Sequence, residues 1–348
     1  MPAPCCPVLR MARRGLAYNR RMDTLHPFSR LTPDFILDAV ESTGLRASGS
    51  LMALNSYENR VYQIGIEDAP PLIAKFYRPG RWSRAQTLEE HAFSLELAER
   101  ELPVVPPLLF DGQSLLSWQG FDFALFERRG GRTPELGDPE VLEWMGRFLG
   151  RIHAVGAIAP YVERPALDAN SFGHEPVDFL LHSTLLPAEL LTPWRTVAEQ
   201  CLQGIEAAYA RAGKVAMIRV HGDCHAGNLM WTDAGPHFVD LDDSRMAPAV
   251  QDLWMLLSGE RAEQSRQLAD VLAGYEDFCE FDSRELHLIE ALRTLRLLHY
   301  SAWLARRVDD PAFHTAFSWF NTQRYWEEQI LTLREQVALL SEPPLWPV

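Results

Sequence analysis

Lysine is almost missing from this chain: of its 33 Lys and Arg residues only Lys75 and Lys214 are lysines, leaving 31 arginines. Generic positive charge is therefore supplied by Arg, so a Lys inside the apolar run Ile73-Ala74-Lys75-Phe76 marks a position that wants a compact ammonium. Cysteine is scarce too. Cys5, Cys6, Cys201, Cys224 and Cys279 are too few and too irregularly spaced for a disulfide framework, which fits a reducing cytoplasm. No apolar run approaches the length that crosses a bilayer. A basic balance is also absent: 47 Asp and Glu give a formal charge of -14, which argues against a nucleic-acid binder with a wholly basic surface. The sequence has no internal repeat or low-complexity linker, and it lacks C-x-x-C, H-E-x-x-H and G-x-G-x-x-G. Residues 1–21 hold Arg10, Arg13, Arg14, Arg20 and Arg21 and no acidic residue, but no apolar core of a secretory signal. They read as an extension, with the ordered protein beginning near Met22. At 348 residues the chain suits one two-lobed catalytic unit or two domains.

What the chain does have is a dense polar loop. His221-Gly222-Asp223-Cys224-His225-Ala226-Gly227-Asn228 lies between the apolar runs Met217 to Val220 and Leu229 to Trp231, and a third run, His237 to Val239, ends in Asp240. Asp223 and Asn228 stand five residues apart, the Asp-to-Asn interval of the H-R-D-L-x-x-x-N loop of protein kinases, and Asp240 falls where a D-F-G Asp would. The pattern points to ATP-dependent phosphoryl transfer. Such chemistry asks for an aligned acceptor hydroxyl and neutralised charge more than for covalent work. Asp223 would accept or orient the acceptor proton, while Asn228 and Asp240 would offer oxygens to Mg²⁺, a hard cation. The rival is a transition-metal site of His221, Asp223, Cys224 and His225. Neighbouring side chains of an extended segment point to opposite sides, so Cys224 and His225 are poorly placed to share an ion.

Around this loop the periodicities suggest an order of elements. Thr32 to Gly44 reads as a helix with a Thr cap and Pro in its first turn. Ser50 to Leu54 and Arg60 to Ile66 read as a hairpin whose tip, Asn55 to Asn59, could place Ser56 and backbone N–H groups on phosphates. Lys75 lies on the next strand, Leu72 to Tyr77, as a nucleotide-binding ammonium. Helix Ala85 to Glu101 follows, with Glu89 or, by its spacing to Phe93 and Leu97, Glu90 as the carboxylate that positions the Lys. Pro103 to Phe110 and Phe121 to Glu127 read as two more strands. The change to Arg128-Arg129-Gly130-Gly131-Arg132 marks a hinge beside the adenine. That divides the chain into the extension 1–21, a nucleotide-binding lobe 22–128 and a catalytic and substrate lobe 129–348. Helices Glu140 to Ile158, Pro193 to Ala212, Leu253 to Ser258, Arg261 to Phe281, Ser283 to Val308 and Thr322 to Leu340 fill the second lobe. His153 reads as a packing or capping residue and Asp252 as a buried anchor for the polar loop. Tyr275, Phe278, Trp303, Trp319, Tyr325 and Trp326 read as core.

These residues also support a resemblance. His221 to Asn228 resembles the H-G-D-x-H-x-x-N motif of the aminoglycoside phosphotransferase and choline kinase superfamily, and Val239-Asp240-Leu241-Asp242-Asp243 is similar to its metal-binding motif. More narrowly, Leu54 to Gln63, Lys75-Phe76-Tyr77-Arg78-Pro79 and Pro248 to Leu257 resemble the bacterial stress response kinase A family, in a likeness running from about Leu25 to Pro344. The resemblance implies an α+β, bilobal protein-kinase-like fold with a small β-rich N-terminal lobe and a larger, mainly helical C-terminal lobe. It implies a monomeric cytoplasmic serine/threonine protein kinase that uses ATP and Mg²⁺ on protein hydroxyls, its own included, and has no nucleic-acid or membrane partner. Such a kinase helps cells survive envelope and oxidative stress and opposes toxin-driven death. Carried over, it makes Asp223 the proton acceptor, Asn228 and Asp240 the metal ligands and Ser56 an ATP contact; Asp242 stands as a further candidate ligand. The Arg-rich segment before Met22 and the missing Gly-rich loop depart from the kinase patterns. A small-molecule kinase acting on an amino alcohol, sugar or antibiotic would share fold and catalytic residues, so the acceptor stays open.

Overall fold

The computed structural model describes residues 27–233, 235–310 and 312–347, so the Arg-rich extension 1–21 lies outside the described residues. Helix α1, Pro33–Glu41, starts where Thr32 Oγ1 accepts the Phe35 N–H and Pro33 takes the first helical position. Strands β1 (Ala47–Ala53), β2 (Arg60–Ile66) and β3 (Ala69–Phe76) follow, then helix α2 (Arg84–Glu99), β4 (Leu116–Trp118) and β5 (Phe121–Glu127). The five strands form one antiparallel sheet in the order β1-β2-β3-β5-β4. Strand alternation decides which side chains face the core. Ala74 and Phe76 point with Ile64, Phe123 and Leu125 towards Ile36, Ala39 and Val40 of α1. Lys75, between them, therefore faces the other side of the sheet. Helix α2 opens with a capping box, Ser83 and Gln86 bonding each other's backbone N–H, and sends Phe93 and Leu97 into the larger core of the second lobe.

That second lobe is mainly helical: α3 (Pro139–Gly156), α4 (Glu175–His182), α5 (Ala188–Ala212), α6 (Val250–Leu253), α7 (Arg261–Tyr275), α8 (Ile289–Ala305), α9 (Phe313–Ala316) and α10 (Gln323–Ser341). Two short ribbons interrupt it, β6 (Ile218–Val220) paired with β9 (Arg245–Ala247) and β7 (Leu229–Thr232) paired with β8 (Gly235–Phe238). The closest helix crossing, α3 on α7, depends on glycine. A Cβ on Gly146 would run into the Val271 carbonyl and one on Gly274 into the Glu143 carbonyl. Among the described residues no helix is long and apolar enough to cross a membrane.

Several elements differ from the sequence reading. Pro103 to Phe110 is not a strand; it makes isolated bridges, Val104 to Phe238, Pro107 to Phe126 and Phe110 to Gln113, because Pro103, Pro106 and Pro107 have no N–H to give a ladder. The partner of β5 at that edge is the short β4 instead. Helix α5 begins a turn before Pro193, at Ala188. Leu253 to Ser258 is a helical turn ending at Leu253 and a 3₁₀ turn over Trp254–Leu256, and a 3₁₀ segment, Ser283–Leu288, precedes α8. Helix α7 stops at Tyr275, short of Phe281. Of the aromatics read as core, Tyr275 and Trp326 are buried, Phe278 and Trp319 are exposed, and Trp303 lines a cavity.

Candidate active site

Between the sheet and the helical lobe lies a cavity of about 1140 Å³, and Ser56, Lys75, Glu90, Asp223, Asn228 and Asp240 all line it. Each reaches it for a local reason. The polar loop leaves β6 through Gly222, whose φ of +86° and close approach to the Asp243 carbonyl admit no side chain without strain. Asp252, fully buried on α6, fixes the turn: its carboxylate accepts the His221 N–H at 2.7 Å, the Gly222 N–H at 2.9 Å and His153 Nε2 at 3.0 Å. His153 Nδ1 in turn accepts the Tyr275 hydroxyl at 3.0 Å. The anchor read from the sequence thus extends through a buried chain across α3 and α7. His221 is structural, donating from Nε2 to the Val239 carbonyl at 3.0 Å. The Val239 N–H donates to the Asn228 carbonyl at 3.1 Å, and together these bonds bring Asp240 beside the loop.

Asp223 carries the reactive geometry. One oxygen is 2.6 Å from Arg296 Nη1 and the other 3.4 Å from His225 Nε2. Burial alone would raise its pKa, but the His225 contact and the Arg296 charge outweigh it and hold the carboxyl below its ordinary range, so it is ionised at neutral pH. Asn228 Nδ2 donates to the Asp223 carbonyl at 2.9 Å, which leaves its Oδ1 as an acceptor. Asp240 sits in the left-handed region, φ 61° and ψ 60°, with its side chain half exposed to the cavity. Lys75 Nζ donates to Asp240 at 2.6 Å and lies 3.5 Å from Asp242. Burial would lower the ammonium's pKa; Asp240 and Asp242 reverse this and raise it, keeping the charge. The helix carboxylate read as its partner is placed differently. Glu90 is buried beside the cavity, yet the ammonium's ion-pair partners are Asp240 and Asp242. Glu89, the alternative, accepts three consecutive backbone N–H groups, of Val162, Glu163 and Arg164, at 2.6, 2.9 and 2.8 Å. Ser56 Oγ donates to the Asn59 carbonyl at 3.3 Å inside the hairpin tip.

The residues fit a hard divalent cation by their donor chemistry: two oxygen donors, Asp240 and Asn228, converge on one cavity, and the buried Asp242 Oδ1 has no hydrogen-bond donor. The zinc reading fares worse. Cys224 is fully buried, its thiol pushed up by burial and then by Asp252 and Asp223, while His225 faces out. Sequence reasoning missed the groups that assemble the site over long range. Asn59 Nδ2 donates to Asp242 at 3.1 Å, Arg81 bridges Asp242 and Asp243, and Arg164 gives its guanidinium to the Asp242 and Ser244 carbonyls at 2.8 and 2.7 Å. Glu58 pairs with Arg78 at 3.2 Å and Arg307 at 2.7 Å, and Tyr57 packs edge-on to Trp303, Phe313 and Phe317. One local signal was available: Arg296, His299, Tyr300 and Trp303 recur at helical spacing along α8, with Arg307 just past its end.

A five-stranded sheet over a helical lobe, with Lys strand, helix, Asp-to-Asn loop and carboxylate turn following in that order around one cleft, is the architecture of a kinase-like phosphotransferase. Comparison with known proteins agrees. The model of the phosphotransferase enzyme family matches residues 50–316. Stress response kinase A of Escherichia coli (strain K12) is 46% identical over 318 residues, which cover 91% of this chain and 96% of that protein. The serine/threonine protein kinase RdoA of Salmonella typhimurium (strain LT2) is 44% identical over 323 residues, 93% of this chain and 98% of the relative. Among solved structures, an amicoumacin kinase in complex with AMP-PNP and Ca²⁺ superposes with a TM-score of 0.66 at 17% identity, over 86% of this chain and 90% of that one. A microcompartment-associated aminopropanol kinase gives 0.65 at 16% identity, over 87% and 95%. The chain belongs to the stress response kinase A family, within the phosphotransferase enzyme family.

Proposed function

We propose that this kinase transfers the γ-phosphoryl group of ATP, with Mg²⁺, to serine or threonine hydroxyls of proteins, its own included, as part of a cytoplasmic stress response. The observation that carries the reading is the convergence of Asp223, Asn228, Asp240 and Lys75 on one cleft between sheet and helices. In this reading 22–128 is the nucleotide-binding lobe and 129–348 the catalytic and substrate lobe. Ser56 and Lys75 bind the phosphates, and Glu90 supports the Lys75 side of the site. Ionised Asp223 orients the acceptor hydroxyl and takes its proton, while Asn228 and Asp240 hold the cation. A bound Mg²⁺ supplies neutralisation of phosphate charge. The relative called a serine/threonine protein kinase supports the protein acceptor.

The test is transfer of label from ATP with Mg²⁺, comparing wild type with Asp223→Asn and mapping the label by mass spectrometry. Label on Ser or Thr of this or an added protein is expected, with turnover of the variant lower by at least about 100-fold. Label confined to small alcohols refutes the protein acceptor, and an equally active variant refutes Asp223 as base.

A further inference from the structure

The acceptor end of the cleft has an unusual lining. Helix α8 presents Arg296, His299, Tyr300, Trp303 and Arg306 to the cavity that holds Asp223. Tyr300 and Trp303 stack with centroids 5.6 Å apart, and His299 stacks on Phe172 at 4.1 Å. The arginines here differ in how they are engaged. Arg245 pairs with Asp243 at 3.0 Å and Arg307 with Glu58 at 2.7 Å, so both are internally neutralised. Arg306 is exposed, lies over the Phe179 ring at 4.7 Å and makes no close ion pair among the described residues, Glu175 being the carboxylate whose charge reaches it. Among the described residues Arg296 pairs with Asp223 alone, at 2.6 Å. Burial, then Arg245, keeps His299 down at about 3 against the pull of Asp243, with Arg306 and Arg307 adding to the effect, so the imidazole is neutral and the arginines set the sign of this end.

A cationic acceptor would meet guanidinium groups here: Asp243 is already shared by Arg81 and Arg245, which leaves Asp223 beside Arg296 and the charge of Glu175 near Arg306. An anionic group, by contrast, would pair with Arg306, and one nearer the hydroxyl would draw Arg296 off Asp223 and free that oxygen. Resting on the protein-kinase reading above, we infer that the acceptor Ser or Thr lies in an acidic segment of its protein, bound along α8 with a carboxylate on Arg306 and the hydroxyl at Asp223. The ten steps from Arg296 to Arg306, the residue capping α8, span about 15 Å, the reach of four to five residues of extended chain. The carboxylate should therefore stand a few residues from the hydroxyl. In the step itself the hydroxyl oxygen bonds to the γ-phosphorus, the bond from that phosphorus to the β,γ-bridging oxygen breaks, ADP leaves, and the hydroxyl proton passes to Asp223.

The experiment uses the full chain, ATP and Mg²⁺ with Ser peptides that carry one Glu, Gln or Arg scanned over five positions on each side. A preference of about tenfold in kcat/KM for Glu over Arg at some position is expected, reversed by Arg306→Glu and untouched by Arg324→Glu, an exposed change on α10. Asp223-dependent transfer that is indifferent to peptide charge, or a preference that Arg306→Glu leaves in place, overturns the inference while the kinase reading stands. Asp223-dependent transfer to small alcohols and to no peptide overturns the protein reading and this one with it.

Discussion

Asp252→Asn isolates what holds the catalytic loop. The native carboxylate accepts three hydrogen bonds in a fully buried site: Oδ2 from the His221 N–H and His153 Nε2, and Oδ1 from the Gly222 N–H. Asparagine keeps the shape but has one acceptor oxygen. Whichever way the amide turns, its NH₂ confronts a backbone N–H that has lost its acceptor; His153 can adapt by changing tautomer, but a peptide N–H cannot. Losing a bond to a charged acceptor costs about 1.5–3 kcal/mol and orphaning a buried donor about 1–3 kcal/mol, so the variant should lose roughly 3–5 kcal/mol of stability. Against a usual total of about 5–15 kcal/mol that is a large share. Urea unfolding should show a lower midpoint at unchanged slope. Because the loop and not the nucleotide cleft is loosened, kcat should fall while the KM for ATP stays near wild type. A stability loss below about 1 kcal/mol together with intact turnover would refute the anchoring argument.

Asp240→Ala should weaken Mg²⁺-dependent nucleotide binding, read by metal titration of a nucleotide-induced melting shift; normal Mg²⁺ dependence would move the ligand to Asp242. Burial pushes the Glu90 carboxyl up to about 7, against Arg164 and Lys75. Its ordinary value is 4.5, so the folded state holds the extra proton between these values, and this contribution to stability is complete at low pH and declines as pH rises to about 7. Glu90→Gln should remove that decline and gain roughly 3 kcal/mol over wild type by pH 8, and parallel stability curves from pH 5 to 8 would contradict it. Tyr57→Ala should lose roughly 2–4 kcal/mol and raise the KM for ATP, since the hairpin tip loses its aromatic seat. An unchanged KM in that variant would mean the tip is held by Glu58 alone.

Much of this was legible because it is local. The scarcity of lysine and the apolar run around it singled out Lys75, the Thr and Pro start of α1 was read within a residue, and the five-residue Asp-to-Asn interval located the loop. Asp252 was read as a buried anchor from its place at the start of the helical segment that follows the polar loop. The hidden part is pairing at distance: Asn59 meets Asp242 across 183 residues, and Arg164 reaches it across 78. Such contacts leave no periodic trace, since which of 31 arginines meets a carboxylate is decided by tertiary packing. Lys75 shows the same pairing at distance: the turn after β8 supplies it with two carboxylates, to which Glu90 of α2 adds its charge.

The bonds around Glu89 are linked. Its carboxylate holds the 162–164 backbone, and Arg164, held there, ties the Gln86 carbonyl of α2 to the Asp242 and Ser244 carbonyls. The helix that supports the Lys strand is thereby riveted to the carboxylate turn by the fold itself. Removing the Glu89 carboxylate, as in Glu89→Gln, would therefore loosen both ties at once, because the 162–164 backbone it holds is what carries Arg164 to the turn.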